Sequence, residues 1–401
     1  MSASAEPIFV PGHAELWRNP FSMYKALRDM DPVHHVKTDV EGEDYWVLSR
    51  FRDVFDAAVD AKTFSSADGL TFRYGERAQL GENAPIVMMD PPQHTALRKL
   101  AIKRLTPNQV AALEPMIREF VVERVERLRE AGEGDIVAEL LKPLPSLVVA
   151  HFLGVPRGDR GHFDRWTEAI VAANASGDMM TAMDAVGEML GYFGSLMEKR
   201  RSDPGEDMIS ALVHSKLNTG EDVSPAMILG MGFTMVTGGN DTTTGLLSGA
   251  LELLTRNRDQ RAILLEESGA IKNAIEEFLR LTAPVQGLAR TTMRDVEIEG
   301  RTIPSGRKVM LLYASANRDE REFGADAAEC NVRREFKRML SFSYGPHFCI
   351  GAAAARLQAR VAIEEVLSRC PDFSVDPEAG RFAGGHFVRR YEYLPFSAVA
   401  G

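Results

Sequence analysis

The chain has 401 residues, 45% of them hydrophobic, and a net charge of −10 from 57 acidic and 47 basic side chains. This length can bury a large core. The acidic balance, with no basic block, argues against a nucleic-acid groove or an anionic membrane surface. Cysteines at 330, 349 and 370 form no Cys-x-x-Cys pair and cannot all be bridged, which suits a reducing compartment. The opening MSASAEPIFV lacks the basic flank and apolar core of a secretory signal, so a cytoplasmic protein is expected.

In chain order, PVHHVKT (32–38) and YWVLSR (45–50) flank the turn-prone EGED and predict a hairpin. From Thr106 to Arg129 apolar residues recur at helical spacing, with Thr106 as N-cap and Pro107 at the first helical position. Between about 135 and 253 the helical pattern continues, punctuated by PLP, GVP and DPGED. Strand signals return at VEIEG, KVMLLYA and YEYLPFS, which makes 32–50, 289–313 and 372–398 the β-rich patches. No repeat of fixed period and no low-complexity linker divides the chain. The expectation is one mainly α domain over 1–401, with small β-sheets.

Ser224 and Pro225 open a helix with no convincing stop for about thirty residues, which is long for a globular protein. Residues 223–240 carry no charge, yet glycine, threonine and asparagine dilute their apolarity too far for a membrane span. A helix buried through a soluble domain fits better. Inside it, TGGNDTTTG (237–245) is made of poor helix formers, consistent either with a close helix crossing or with a functional site.

SFSYGPHFCIG (341–351) sets Cys349 in a loop of glycines and aromatics ahead of an alanine-rich helix. His347 and Cys349 lack the second ligand pair that zinc requires, and His347 is poorly placed as a base for a nucleophilic thiol. Two uses remain open: a small buried hydrophobe, or a haem thiolate. For the second, Gly345 and Gly351 let backbone N–H groups approach the sulfur while Phe342 and Phe348 exclude water.

The whole loop SFSYGPHFCIGAAAAR resembles the haem-binding loop of the cytochrome P450 family, Phe-Gly-x-Gly-x-His-x-Cys-x-Gly followed by x-x-Leu-Ala-Arg. Phe342, Gly345, His347, Cys349, Gly351, Ala355 and Arg356 match in register, whereas Ser343 and Ala354 replace a usual glycine and leucine. Other family signatures follow the expected order. GGNDTT resembles the oxygen-activation stretch of a long central helix crossing the haem, with Asp241 and Thr242 as its acid–alcohol pair. EEFLR carries the family's Glu-x-x-Arg as Glu277 and Arg280, and Arg334 holds the place of the arginine that completes their structural network. Glu320 stands where proline is common, and Cys330 where an aromatic is usual.

What the resemblance implies is the P450 fold, haem b (iron protoporphyrin IX) with Cys349 as its iron ligand, and propionate contacts from His94, Arg98, Arg290 and His347. It further implies a monooxygenase that inserts one atom of O₂ into an organic substrate, with Asp241 and Thr242 relaying protons. No flavin or iron–sulfur motif is present, so electrons are expected from a separate ferredoxin and its NAD(P)H-dependent reductase. The likeness runs from about Asn19 to Phe396 and includes neither membrane anchor nor fused reductase. By analogy the loop 65–88, residues 235–239 including Met235, Gly238 and Gly239, residues 285–288 including Val285 and Leu288, and the turn at His386 line the substrate cavity. Their apolar content predicts an apolar small-molecule substrate. The rival expectations are a haem-thiolate ligand sensor and a peroxide-driven or isomerising enzyme on the same scaffold.

Overall fold

The computed structural model describes residues 9–12, 14–80, 84–176 and 179–399. Most of the opening MSASAEPIFV and residues 81–83 of the expected cavity loop therefore lie outside the described residues. The anticipated hairpin forms from Val33–Val36 and Tyr45–Leu48, with Val33 opposite Leu48. It extends into a five-stranded sheet, in the order Val33–Val36, Tyr45–Leu48, Lys308–Leu311, Leu288–Thr292 and Phe64–Ser65. The pairing of Tyr45–Leu48 with Lys308–Leu311 is parallel, and the others are antiparallel.

Smaller β-elements finish the C-terminal side. Tyr391–Tyr393 pairs with Arg381–Phe382, and Pro395–Ser397 lies between Glu133–Asp135 and Ser374–Val375. The short strands at 64–65 and 133–135 carry no readable alternation and were not anticipated.

One expected helix is two. Thr106 caps Pro107–Ala111 with a reciprocal capping box through Gln109, but the helix restarts as Glu114–Ala131. Pro115 marks the break: it has no N–H to give to the carbonyl of residue 111, and it sits in the first turn of the restarted helix, where that N–H is not needed.

The central helix runs Pro225–Arg256, and the Ser224 side chain accepts the Met227 N–H at 3.2 Å. At ~1.5 Å per residue its 32 residues cover about 48 Å, enough to cross the whole molecule. Its polar residues survive inside the helix by bonding back one turn. Thr234, Thr237, Thr242 and Thr244 donate to the carbonyls of Gly230, Phe233, Gly238 and Asn240, and the Asn240 amide donates to Val236. Around this axis pack Pro143–Phe152, Ile271–Thr282 and Ala352–Arg369, whose buried Leu, Ile, Val and Phe form one continuous core. No helix among the described residues is long and apolar enough to cross a membrane.

Candidate haem-thiolate site

The cysteine loop is shaped by a few backbone constraints. The Cys349 N–H donates to Phe342 O at 2.9 Å and the Phe348 N–H to Gly345 O at 3.1 Å, folding the loop back on itself. Gly345 has φ +67, and a Cβ there would lie 2.9 Å from Val59 Cα, so the loop can reach the helix Phe51–Val59 only with glycine at this position. Ser343 sits where the family pattern has glycine, and its φ of +56 shows why. The hydroxyl–hydroxyl contact of Ser343 with Tyr313, at 3.1 Å, offsets part of that strain.

Cys349 is half-buried. Burial raises its thiol above the ordinary range, opposed by the Gly351 N–H and by the positive charges of Arg98 and Arg356. A donor and two cations offset part of the burial cost of the thiolate, the form in which sulfur binds a metal. Arg356 stacks 4.7 Å above the Phe342 ring and is held by Glu276 at 2.6 and 2.8 Å. Phe342 thus closes one side of the loop. Phe348 does less than expected as a water shield, because its ring edge packs on Phe342 and Tyr344 while 37% of the residue stays exposed.

His94, Arg98, Arg290 and His347 converge although they come from three separate segments. The His94 and His347 rings are 4.2 Å apart, and His94 and Arg290 are only 2% and 3% exposed. Burial, with Arg98 and Arg290, depresses His94 to about 4; burial, with Arg290, His94 and Arg98, pushes His347 down as well. Two like-charged arginines and two neutral imidazoles in a buried locus want anions. His94 Nδ1 and His347 Nε2 are buried with no hydrogen-bond partner, and they mark where those anions belong. Anionic groups close to a thiolate match a haem with its propionates, so the residues present fit that cofactor.

On the central helix, Asp241 and Thr242 are adjacent but face different surroundings. Thr242 is half-buried and its hydroxyl donates to Gly238 O at 2.7 Å. Asp241 is 4% exposed and forms an ion pair with Arg390, which the sequence reading missed. Burial raises its carboxyl to about 6, with Arg390 and Lys142 pulling the other way. A visible clue existed, since two adjacent arginines in the apolar run FVRRYEYL need buried anions.

Glu277, Arg280 and Arg334 meet. Arg280 donates to both oxygens of Glu277, and Arg334 Nε donates to Glu277 at 3.2 Å. Arg280 also reaches the carbonyls of Asn317 and Ala327, and Arg334 reaches Asp326, so the charges tie the helix Ile271–Thr282 to the loops ahead of Cys349. Glu320, in place of the family's proline, pairs with Lys25 and Arg28. Cys330, in the aromatic's place, is pushed up to about 12 by burial and is inert as a thiolate.

The expected cavity residues divide between two core clusters. Met235 and Leu288 are partly buried, and Val285 bridges to Val388. At Gly238 a Cβ would meet nothing within 4 Å, whereas at Gly239 it would press on Val149 at 2.8 Å. Gly238 therefore borders open space and Gly239 borders core. His386 donates from Nδ1 to Gly12 O at 2.8 Å and lies against Phe72.

Long central helix, cysteine loop and anion-binding cluster together define a haem-thiolate protein, and the chain belongs to the cytochrome P450 family, whose sequence profile ("Cytochrome P450") matches residues 176–383. It is 56% identical over 392 residues to "Cytochrome P450 130" of Mycobacterium tuberculosis, covering 96% of this chain and 97% of that one. Similarity extends to "Vitamin D(3) 25-hydroxylase" of Pseudonocardia autotrophica, 35% identical over 90% of this chain and 88% of the other. Among solved structures, Mycobacterium marinum cytochrome P450 CYP268A2 in complex with pseudoionone superposes with a TM-score of 0.87 at 29% identity, covering 98% of this chain and 100% of that chain. The protein is thus a haem-binding cytochrome P450 monooxygenase with the fold of that family.

Proposed function

We propose that this enzyme hydroxylates a neutral, apolar organic molecule, using O₂ and electrons delivered one at a time by a separate ferredoxin and its NAD(P)H-dependent reductase. The observation that carries the reading is the open space beside Gly238, one turn from the Thr242 hydroxyl, together with the apolar, only partly buried Met235, Val285 and Leu288. An apolar pocket beside one hydroxyl binds by burial of area and leaves orientation to shape. The names of two relatives, a vitamin D(3) hydroxylase and a complex with pseudoionone, support the same substrate class. The three free cysteines fit a reducing cytoplasm.

When bound, haem supplies the one-electron and O₂ chemistry. Cys349 holds its iron; His94, Arg98, Arg290 and His347 hold its carboxylates. Thr242 presents a hydroxyl to the open face, and Asp241, with a carboxyl near neutrality, exchanges protons behind it. Glu277, Arg280 and Arg334 keep the cysteine loop in place. On the outer side, exposed Lys337 and Arg338 share a depression with Phe348 and Tyr344, a surface suited to an acidic electron carrier.

A sensor or a peroxide-driven enzyme has no need of the buried acid beside Thr242. The test is reconstitution with a ferredoxin, its reductase and NADPH against a panel of sterol-like and terpenoid ketones. Hydroxylated product with matching NADPH use supports the reading. Turnover with hydrogen peroxide but none with the redox proteins defeats it.

A further inference from the structure

The C-terminal segment 388–391 crosses the central helix at Gly245. A Cβ there would stand 2.6 Å from the Arg389 carbonyl oxygen and 3.0 Å from Pro284, so only glycine permits the crossing. Backbone bonds fix the segment: the Arg389 N–H donates to Pro284 O at 2.8 Å, the Ala383 N–H donates to Arg390 O at 3.0 Å, and Val388 bridges to Val285. One helical turn before Gly245 lies Asp241, and Arg390 reaches back to it. Both side chains are buried, at 8% exposure for Arg390 and 6% for Asp241.

The other charges nearby are engaged elsewhere. Lys142 bonds Glu168 at 2.6 Å, while Arg389 and Tyr391 turn to Glu252. Arg390 is therefore the cation that contacts Asp241 among the described residues. A buried carboxylate without such a partner takes up a proton and keeps it.

We propose that Arg390 is a positioning residue of the oxygenase reaction, anchoring the Asp241 carboxylate to the C-terminal segment and keeping it ionised so that it can capture and pass on protons. This rests on the reading of Asp241 as the proton carrier. The same segment is tied through its neighbours to residues 285–286: Val388 bridges to Val285, and the Gln286 N–H donates to Phe387 O at 2.7 Å. With Arg390 in place the Asp241 carboxyl titrates at about 6, where a proton is both released and regained at neutral pH.

The test compares wild type, Arg390→Gln, Arg390→Lys and Asp241→Asn as haem-loaded enzymes. Two readouts are taken between pH 5 and pH 9: turnover with a saturating substrate, and the infrared stretch of the protonated Asp241 carboxyl, identified by its loss in Asp241→Asn. Loss of an opposite charge moves a carboxyl by about 1 to 3 pH units, so in Arg390→Gln the infrared titration and the acid limb of turnover should both move up by that amount. Turnover at pH 7 should then fall with the ionised fraction of the carboxyl, by about twofold for a shift of one unit and about tenfold for a shift of two. Arg390→Lys should recover most of both. A purely structural arginine would lower melting temperature and haem content and leave the titration where it was.

An unmoved infrared titration in Arg390→Gln overturns the inference. Unchanged turnover in Asp241→Asn overturns the proton-carrier reading instead, so the two failures are told apart. Should Arg390→Gln not fold, Arg390→Met fills the same buried space with no charge and carries the same test.

Discussion

Arg280 donates two parallel hydrogen bonds, of 2.7 and 2.8 Å, to the two oxygens of Glu277, and both side chains are wholly buried. That geometry recurs where charge must be buried, because the paired bonds satisfy both groups at once. Breaking a buried pair by removing one member costs about 3 to 5 kcal/mol. Glu277→Ala leaves Arg280 and Arg334 facing each other with no shared anion, so it should melt well below wild type and purify with little haem. A calorimetric scan and the ratio of haem to protein absorbance check this. Normal melting with full haem content would make the pair dispensable.

Asp53 presents the opposite case, a carboxyl whose Oδ2 has no partner. Burial and the nearby Glu299 raise it from 3.8 to about 6, with Arg50 opposing. The sign follows from the raised value: its contribution to stability is complete below about pH 4 and is lost as pH rises through 6. At pH 8 the ionised group costs about 1 to 2 kcal/mol, discounted because the side chain is only partly buried. Asp53→Asn should therefore raise the melting temperature at pH 8, with a smaller gain at pH 5. An equal effect at both pH values would contradict that assignment.

Two glycines of the central helix should respond in opposite ways. Gly238→Ala adds a methyl to open space and gains helix propensity, about 1 kcal/mol, while narrowing the cavity. Gly245→Ala drives a methyl into the Arg389 carbonyl. The first variant should be stable with altered ligand affinity, and the second destabilised by about 1 to 3 kcal/mol. Urea unfolding followed by haem absorbance, with a ligand titration on Gly238→Ala, measures both.

Thr242→Ala removes the hydroxyl that donates to Gly238 O. With suitable redox proteins it should still bind substrate and consume NAD(P)H, while sending more of the reducing equivalents into hydrogen peroxide. Asp241→Asn should slow turnover, by about 10² to 10⁴-fold if general acid–base transfer is lost entirely. Product formed per NAD(P)H, with peroxide quantified in parallel, separates the two effects. Unchanged coupling and unchanged rate would remove the pair from the reaction.

Local chemistry made much of this legible in the sequence. Ser224 with Pro225 announced the central helix, and the hairpin at 33–48 followed from two strand-like runs on either side of the turn-prone EGED. The residues around Cys349 were recognisable because tight turns demand glycine at fixed spacing, as Gly345 does against Val59. What stayed hidden depends on contacts between distant segments. Pro115 divided a helix whose apolar period ran straight through it. Arg390 gave no motif, since its meaning comes from a crossing that places it on Asp241, 149 residues earlier. Phe348 read as a shield but lies partly outside, its ring meeting Phe342 and Tyr344 only edge-on.

The central claim is that Cys349 holds the haem iron, and the absorbance spectrum of the reduced protein under carbon monoxide tests it most directly. Wild type should give the red-shifted Soret band of a thiolate-ligated haem. Cys349→Ala or Cys349→His, with haem still bound or added back, should lose that band, whereas Cys330→Ala and Cys370→Ala should keep it. A thiolate-type band surviving in the Cys349 variants would contradict the account.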